Sequence, residues 1–516
     1  MVSTAHSYAD FQIRLDRIFK KATNEINGFC GYKDEQIVFR LVQRIAQLGI
    51  FEFTRLAAKK FRKTGKLFAE DEIIYCAGIC IESDGSVHLS WVKFIALFFE
   101  FVVHWTYALL VILLALKPLS SKKKISLLYG VGMQDLFVDE SDVRFLNFCR
   151  YGHILPLASA SYLAIQSTQP ISSADPLRVK FGRDPLLIAL GWTGFGINNW
   201  LCALAQHVVS GLIFLRAVSL APILILLGRD IASDAAARVM SRQNCLGDVV
   251  LTTSNYFSQS LWMSALPDKR HTCHMVWYSQ NIFPVSYFDE TEKVPIPNLR
   301  YIKVDIQWVW TKNFMHFLEE ICLPCIYKIV PPVVWCLPSV QIIHKKRSPR
   351  IILFDITPVN HDSELSFGLL RNFYNEKNMS KFLFDIINAT KNFSHRNKIK
   401  IEIILKHKRS HQNIHSLEYI NNVKMLVNSN EVLLAKNNTN LYDLILESDM
   451  VIAAPYSSPV YIARYLGKDA IWYDPTSELD WKFKEIEIPL VKGYVRLVNE
   501  INQVFWQNKN DFHGRP

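Results

Sequence analysis

The chain has 516 residues, 50% of them hydrophobic and 20% charged, which excludes a disordered protein and asks for two large cores rather than one. Its formal net charge of +11 suits an anionic partner, whether nucleic acid, a phospholipid surface or a phosphorylated substrate. Ten scattered cysteines with a single CxxC, Cys322 to Cys325, and no second Cys pair or His cluster at ligand spacing argue against zinc and fit buried thiols in a reducing compartment.

The first residues, "MVSTAHSYADFQIRLDRIFKKA", lack the apolar core of a cleavable signal, so the expectation is a cytoplasmic chain. Residues 1 to 90 read as helical and polar, with a basic cluster at Lys59 to Lys66. Phe94 to Leu116 is then apolar, interrupted only by Glu100, His104 and Thr106, and is about long enough to span a bilayer. Lys117 and Lys122 to Lys124 follow it, which favours an anionic, cytoplasmic membrane face. Three readings stay open: a transmembrane helix that must bury Glu100, a monotopic helix dipping into one leaflet, and a buried core helix. A second apolar run, Val208 to Leu227, contains Arg216 and Pro222.

Lys124 to Arg150 reads as a strand, a turn, an acidic loop and a helix, and residues 170 to 245 read as helical. Asp248 to Tyr256, His271 to Asn281 and Leu299 to Thr311 read as strands, with a helix around Leu261-Trp262. Ile329 to Arg350 carries four prolines and reads as a crossover between domains. From Arg350 onward the strands "RIILFD", "KIEIIL", "EVLLA", "MVIAA" and "AIWYD" alternate with helices, the pattern of a parallel sheet covered on both faces. Such sheets bind ligands beyond the carboxyl ends of their strands.

Lys406, His407, Lys408 and Arg409 occupy one such end and can hold a diphosphate or a carboxylated sugar, or form a solvated run. Ser457 and Ser458 occupy another. Ser458 is expected to cap a helix with Pro459 at its first position and Gly467 at its stop. Capping needs one hydroxyl, so the second, with the helix N-terminus, suggests an anion site. Asp474 closes a third strand and either binds a ligand hydroxyl or caps the next turn, and Asp355 carries the same ambiguity.

Together "ILFDITP", "IILKHKR", "SDMVIAAPYSSPVYIARYLGKDAIWYDPT", "VLTTSNY", Leu261-Trp262 and "VWYSQN" resemble GT-B-fold glycosyltransferases of bacterial lipopolysaccharide and capsule pathways, over residues 245 to 500. The resemblance implies an α/β fold of two Rossmann-like domains facing across a cleft. Residues 121–340 would bind the acceptor and carry an apolar helical insertion at 186–230. Residues 341–516 would bind the nucleotide sugar, and residues 1–120 would form a helical, membrane-associating region. In relatives that use CMP-sugars, a His-containing strand end and a Ser-Ser turn hold the nucleotide. His407 and Ser457-Ser458 match that pattern, but His407-Lys408 stands where those families have His-Pro, so UDP and GDP stay open.

The acceptor side would supply a base, with Asp135 and Glu140 leading Asp139 and Asp142, each of them equally suited to a loop or cap. Tyr278, Ser279 and Asn281 would touch sugar hydroxyls. With no DxD triplet, neither metal nor other cofactor is expected, the nucleotide sugar being a co-substrate. The expected partners are a nucleotide sugar, a glycan or lipid-linked acceptor and the inner face of the cytoplasmic membrane, not nucleic acid. The alternatives are a nucleotide-sugar epimerase of the same fold and a non-catalytic membrane-associated assembly protein.

Overall fold

Apolar residues at helical spacing in the first third of the chain build two long helices, α1 (Thr4–Glu25) and α2 (Asp34–Thr64). Phe11, Leu15 and Ile18 of α1 meet Ile37, Leu41 and Ile45 of α2 in one apolar core. These come from a computed structural model that describes residues 4–116, 124–130, 162–166, 179–182, 184–252, 259–266, 269–277, 279–280, 297–332, 348–360, 372–407, 414–436, 439–480 and 488–513. A small antiparallel sheet, β1 (Ile74–Cys76), β2 (Ile79–Ile81) and β3 (Val87–Leu89), interrupts the helical region expected there. Ala77 and Gly78 both take positive φ, 52° and 76°, the two-residue turn that a tight hairpin needs.

Helix α3 (Trp91–Leu114) starts at Ser90, whose side chain accepts from Lys93 N. Helices α4 (Pro185–Thr193), α5 (Ile197–Leu220) and α6 (Gly228–Arg242) follow later in the chain. The segment expected as an insertion at 186–230 packs against the first third of the chain. Phe214 of α5 and Ile231 of α6 share a core with Phe53 of α2 and Phe101 of α3. Arg40 of α2 and Asp230 of α6 form a buried ion pair at 2.6 Å, which ties the two segments together. Helix α6 is buried on nearly every side, which suits its small "IASDAAA" stretch.

Helices α3 and α5 are each long and apolar enough to cross a membrane, yet only 22% and 33% of their most apolar stretches is buried. Most of each apolar stretch is therefore exposed. On α3 the buried positions are Leu97, Phe101, Ala108 and Ile112, while Val92, Phe99, Val103 and Leu110 are exposed on another stripe. Ile197, Leu201, Val208 and Leu212 of α5 are likewise exposed. Glu100 and His104, one turn apart on α3, turn toward Arg229 of α6, with Glu100 Oε1 at 3.5 Å from Arg229 Nε.

Seven parallel strands form the first large sheet: β4 (Ile125–Tyr129), β5 (Tyr162–Gln166), β6 (Val179–Gly182), β7 (Leu246–Thr252), β8 (Cys273–Val276), β9 (Ile306–Val309) and β10 (Ile326–Ile329). Their order is β10-β9-β8-β7-β4-β5-β6. Strand β6 lies in a stretch read as helical, and the strand expected over Leu299 to Thr311 shrinks to β9 because α8 (Pro297–Arg300) precedes it. Short helices α7 (Leu261–Ala265) and α9 (Lys312–Ile321) connect this half.

The second sheet has six parallel strands in the order β13-β12-β11-β14-β15-β16. They are β11 (Arg350–Phe354), β12 (Glu402–Lys406), β13 (Leu433–Leu434), β14 (Met450–Ala453), β15 (Asp469–Asp474) and β16 (Leu490–Lys492). Helices α10 (Glu376–Asn397), α11 (Leu417–Asn428), α12 (Leu441–Leu446), α13 (Pro459–Tyr465) and α14 (Tyr494–His513) cover it. Each sheet thus winds outward in both directions from its first strand. The order reverses between β4 and β7 in one sheet and between β11 and β14 in the other, and such switch points open a crevice for ligands.

Helices α3 and α5 approach closely at Gly211. A Cβ there would lie 2.7 Å from Trp105 Nε1, and the Trp105 ring stacks on His207 at 4.7 Å. Gly211→Val is expected to force α3 and α5 apart and to destabilise the chain by about 1–3 kcal/mol, read as a lowered melting temperature of the purified protein.

Candidate functional site

The carboxyl ends of the two sheets meet at one hydroxyl. Ser458, after β14, shares a hydrogen bond with Ser279 Oγ at 3.0 Å, and its Oγ accepts from Gln280 N at 3.1 Å. Ser279 and Gln280 follow β8 of the first sheet. Gln280 is fully buried, and its Oε1 accepts from Thr311 Oγ1, at the end of β9, at 3.2 Å. The rings of Trp310 and Tyr461 lie edge to face 6.3 Å apart across the same junction.

This changes the roles of the serine pair. Ser458 sits at the N-cap of α13 with helical φ and ψ, and its side chain makes no capping bond. Its hydroxyl crosses to the other sheet instead. Ser457 is buried and donates to the Ala454 carbonyl at 2.7 Å, so it braces the turn from within. Tyr456, just before it, has φ +61°, an uncommon conformation for a bulky residue. Trp472 Nε1 donates to the Ser457 carbonyl at 3.0 Å, Tyr374 OH to the Pro455 carbonyl at 2.8 Å, and Tyr456 OH to the Asp480 carbonyl at 2.8 Å.

On the far side of the switch point, Asp355 closes β11 and is buried. Its Oδ2 lies 2.7 Å from His407 Nδ1 and accepts from Tyr419 OH at 2.7 Å. His407 follows β12 and is 5% exposed, so it belongs to a buried His–Asp–Tyr cluster rather than to an open run of cations. A carboxylate on Nδ1 fixes the orientation of the ring. Burial and the Asp355 charge push the Tyr419 hydroxyl far above its ordinary range, so it stays a donor. Lys406 Nζ donates to the Lys436 carbonyl at 3.1 Å, and burial lowers its ammonium pKa.

Asp474 takes the capping alternative. It is fully buried, its Oδ1 accepts from Thr476 N and Oγ1 at 2.8 Å each, and its Oδ2 accepts from Leu479 N at 2.9 Å. A carboxylate so engaged caps the turn that follows β15. In the CxxC pair, both half-buried, desolvation pushes the Cys322 thiol up to about 12 and raises that of Cys325, in keeping with unreactive thiols. Asp135, Asp139, Glu140, Asp142, Tyr278, Asn281, Lys408 and Arg409 lie outside the described residues. Sequence reading missed Gln280, Tyr374, Tyr419 and Tyr456, whose roles rest on partners between 24 and 178 positions away.

Asp355→Ala removes the acceptor shared by His407, Tyr419 and Thr357, whereas Tyr419→Phe removes one bond. We expect losses of about 3 and about 1 kcal/mol respectively, measured as a ranked fall in unfolding midpoint.

No curated protein matches the chain. Among solved structures, OtsA in its apo form is similar at 9% identity over 74% of this chain and 91% of its own, with a TM-score of 0.37. A UDP-forming α,α-trehalose-phosphate synthase from Burkholderia vietnamiensis aligns at 7% identity over 74% and 92%, with a TM-score of 0.36. TarM aligns at 12% identity over 51% and 48%, with a TM-score of 0.31. A family described as polysaccharide biosynthesis PFTS motif protein matches residues 213–500, more than half of the chain. That stretch holds both switch-point crevices' later strands, the Ser279–Ser458 junction and the His407–Asp355 cluster, and the chain belongs to the polysaccharide biosynthesis PFTS motif family.

Proposed function

We propose that this chain is a glycosyltransferase that moves a sugar from a nucleotide sugar to a glycan or lipid-linked acceptor at the cytoplasmic face of a membrane. The observation that carries the reading is the meeting of two parallel sheets, carboxyl end to carboxyl end, at Ser458 and Ser279. Two doubly wound sheets so arranged offer one crevice for the nucleotide and an opposed one for the acceptor. Membership of a polysaccharide biosynthesis family supports the reaction class.

In this reading the nucleotide diphosphate binds beside β11 and β14. His407 and Ser458 Oγ meet its oxygens, with Asp355 holding the imidazole ring in place. The acceptor oxygen forms a bond to the anomeric carbon, the bond from that carbon to the phosphate oxygen breaks, and the nucleotide leaves with the electron pair. A base on the first-sheet side, for which Asp135 and Glu140 remain the candidates, takes the acceptor's proton. The phosphate charge is handled by side chains, and a chelator is expected to leave transfer unchanged.

The apolar stripes of α3 and α5 support an in-plane, monotopic seat on the membrane. The polar residues Glu100 and His104 stay on the protein side of α3, so none is forced into lipid.

Thermal-shift titration with CMP, UDP and GDP tests the donor. One nucleotide should raise the melting temperature by mass action, and Ser458→Ala should weaken it about tenfold. No shift with any of the three, together with intact sugar nucleotide after incubation with membranes, would favour a non-catalytic assembly role. For the membrane seat, flotation with phospholipid vesicles should carry the wild type upward and leave the triple variant Val92→Asp, Phe99→Asp, Val103→Asp at the bottom. Equal flotation of both would remove the α3 seat.

A further inference from the structure

A second polar recess lies at the other switch point. Tyr129 ends β4 and Ser260 follows β7, the two strands between which the first sheet reverses. Arg40 and Arg44 of α2, His104 of α3 and Arg229 of α6 close the recess, a cavity of about 120 Å³, roughly the liquid volume of four waters. Three guanidinium groups thus converge where this kind of sheet binds ligands.

Their charges are not balanced within the pocket. Asp230 is occupied by Arg40, which it meets at 2.6 and 3.2 Å. Asp184, the other carboxylate in the lining, caps α4 by accepting from Leu186 N and Leu187 N, and burial raises its pKa, which weakens it as a counter-ion. Arg229 leans on Glu100 but its side chain is 55% exposed. Arg44 donates to the Leu226 carbonyl and to Gln47 Oε1, and among the described residues it has no carboxylate at ion-pair distance. Burial, with Arg40 and Arg229 beside it, pushes its guanidinium down to about 10, against the smaller opposing pull of Asp230 and Glu100. A held cation without a counter-ion is costly unless an anion completes it.

We infer that Arg44 and Arg229, backed by Arg40 and Ser260, form a binding site for a phosphate or diphosphate group at the first-sheet switch point. The planar forks of two arginines match phosphate oxygens. His104 lines the recess from α3, whose exposed stripe carries Val92, Phe99 and Val103, so a phosphate on a lipid seated along α3 can reach the site. Assigning this pocket to the acceptor rests on the glycosyltransferase reading, whereas phosphate binding does not.

The test uses the full chain with Arg44→Gln and Arg229→Gln. Calorimetric titration with inorganic pyrophosphate probes a soluble source. Flotation on phosphatidylcholine vesicles doped with phosphatidic acid, against phosphatidylserine vesicles of equal surface charge, probes a lipid one. We expect wild-type binding in at least one arm and a loss of about tenfold or more in the variants. Binding in the titration alone assigns a free phosphate ligand, and a preference for phosphatidic acid alone assigns a lipid. Melting curves without ligand report folding, and if Arg44→Gln melts early, the half-exposed Arg229→Gln carries the comparison. No binding in either arm, or binding unchanged in the folded variants, overturns the site. Failure of every nucleotide to shift the melting temperature, with pyrophosphate bound, would overturn the transferase reading and leave this site standing.

Discussion

The arrangement of the two sheets depends on a turn that the backbone does not favour. Tyr456 has φ +61°, a strain of about 1–3 kcal/mol for a residue with a large side chain. Four hydrogen bonds offset it: from Tyr374, from the Tyr456 hydroxyl itself, from Trp472 and from Ser457. At about 1 kcal/mol each, such bonds are enough to hold the turn in its one observed form. The consequence is positional. The strained turn carries the chain off β14 so that Ser458 faces Ser279 and Gln280 and not its own helix. With the turn relaxed, the junction would keep the Trp310–Tyr461 ring contact but lose the Ser458–Ser279 bond.

The same economy of partners governs the helical layer. A long apolar helix with Glu100 in its middle looks contradictory when read as a string. In three dimensions the helical repeat separates the two characters. Glu100 and His104 turn toward Arg229, Leu97 and Phe101 turn to the core, and Val92, Phe99 and Val103 stay outside. The polar side completes the wall of a pocket while the apolar side faces whatever surrounds the protein. One helix therefore joins the surroundings to the switch point of the first sheet.

The second half of the chain was the more legible in sequence. Its central strands are continuous β-branched and apolar runs because both faces of the sheet are covered, and the ends read at Asp355, Leu405 and Asp474 fall within one residue of the observed ends at Phe354, Lys406 and Asp474. Ser279 and Ser458 were each singled out, but nothing in their surroundings says that they touch across 179 positions. Capping and ligand binding call for the same residue types, so only the tertiary partners reveal that Asp474 caps a turn and that Ser458 does not cap its helix. The hairpin β1–β2 was hidden for a different reason: three-residue strands are too short for periodicity to register. The arginine pocket left no trace at all, since its members come from six distant segments with no fixed spacing.

Most of the arginines in the cores are neutralised by carboxylates of the chain. Arg40 has Asp230, Arg238 has Asp234, and Arg350 has both Glu402 and Glu447. These pairs fix helices and strands to one another, and breaking one leaves an uncompensated charge. Arg44 stands one helical turn from Arg40, on the same face of α2, where a second carboxylate would complete the series. The chain places none there among the described residues, and the nearest side-chain acceptor is the neutral Gln47. A purely structural role would be served as well by an uncharged residue, which would spare the desolvation of a cation beside two others. Keeping the guanidinium at the sheet's switch point makes physical sense when its counter-charge arrives with a ligand.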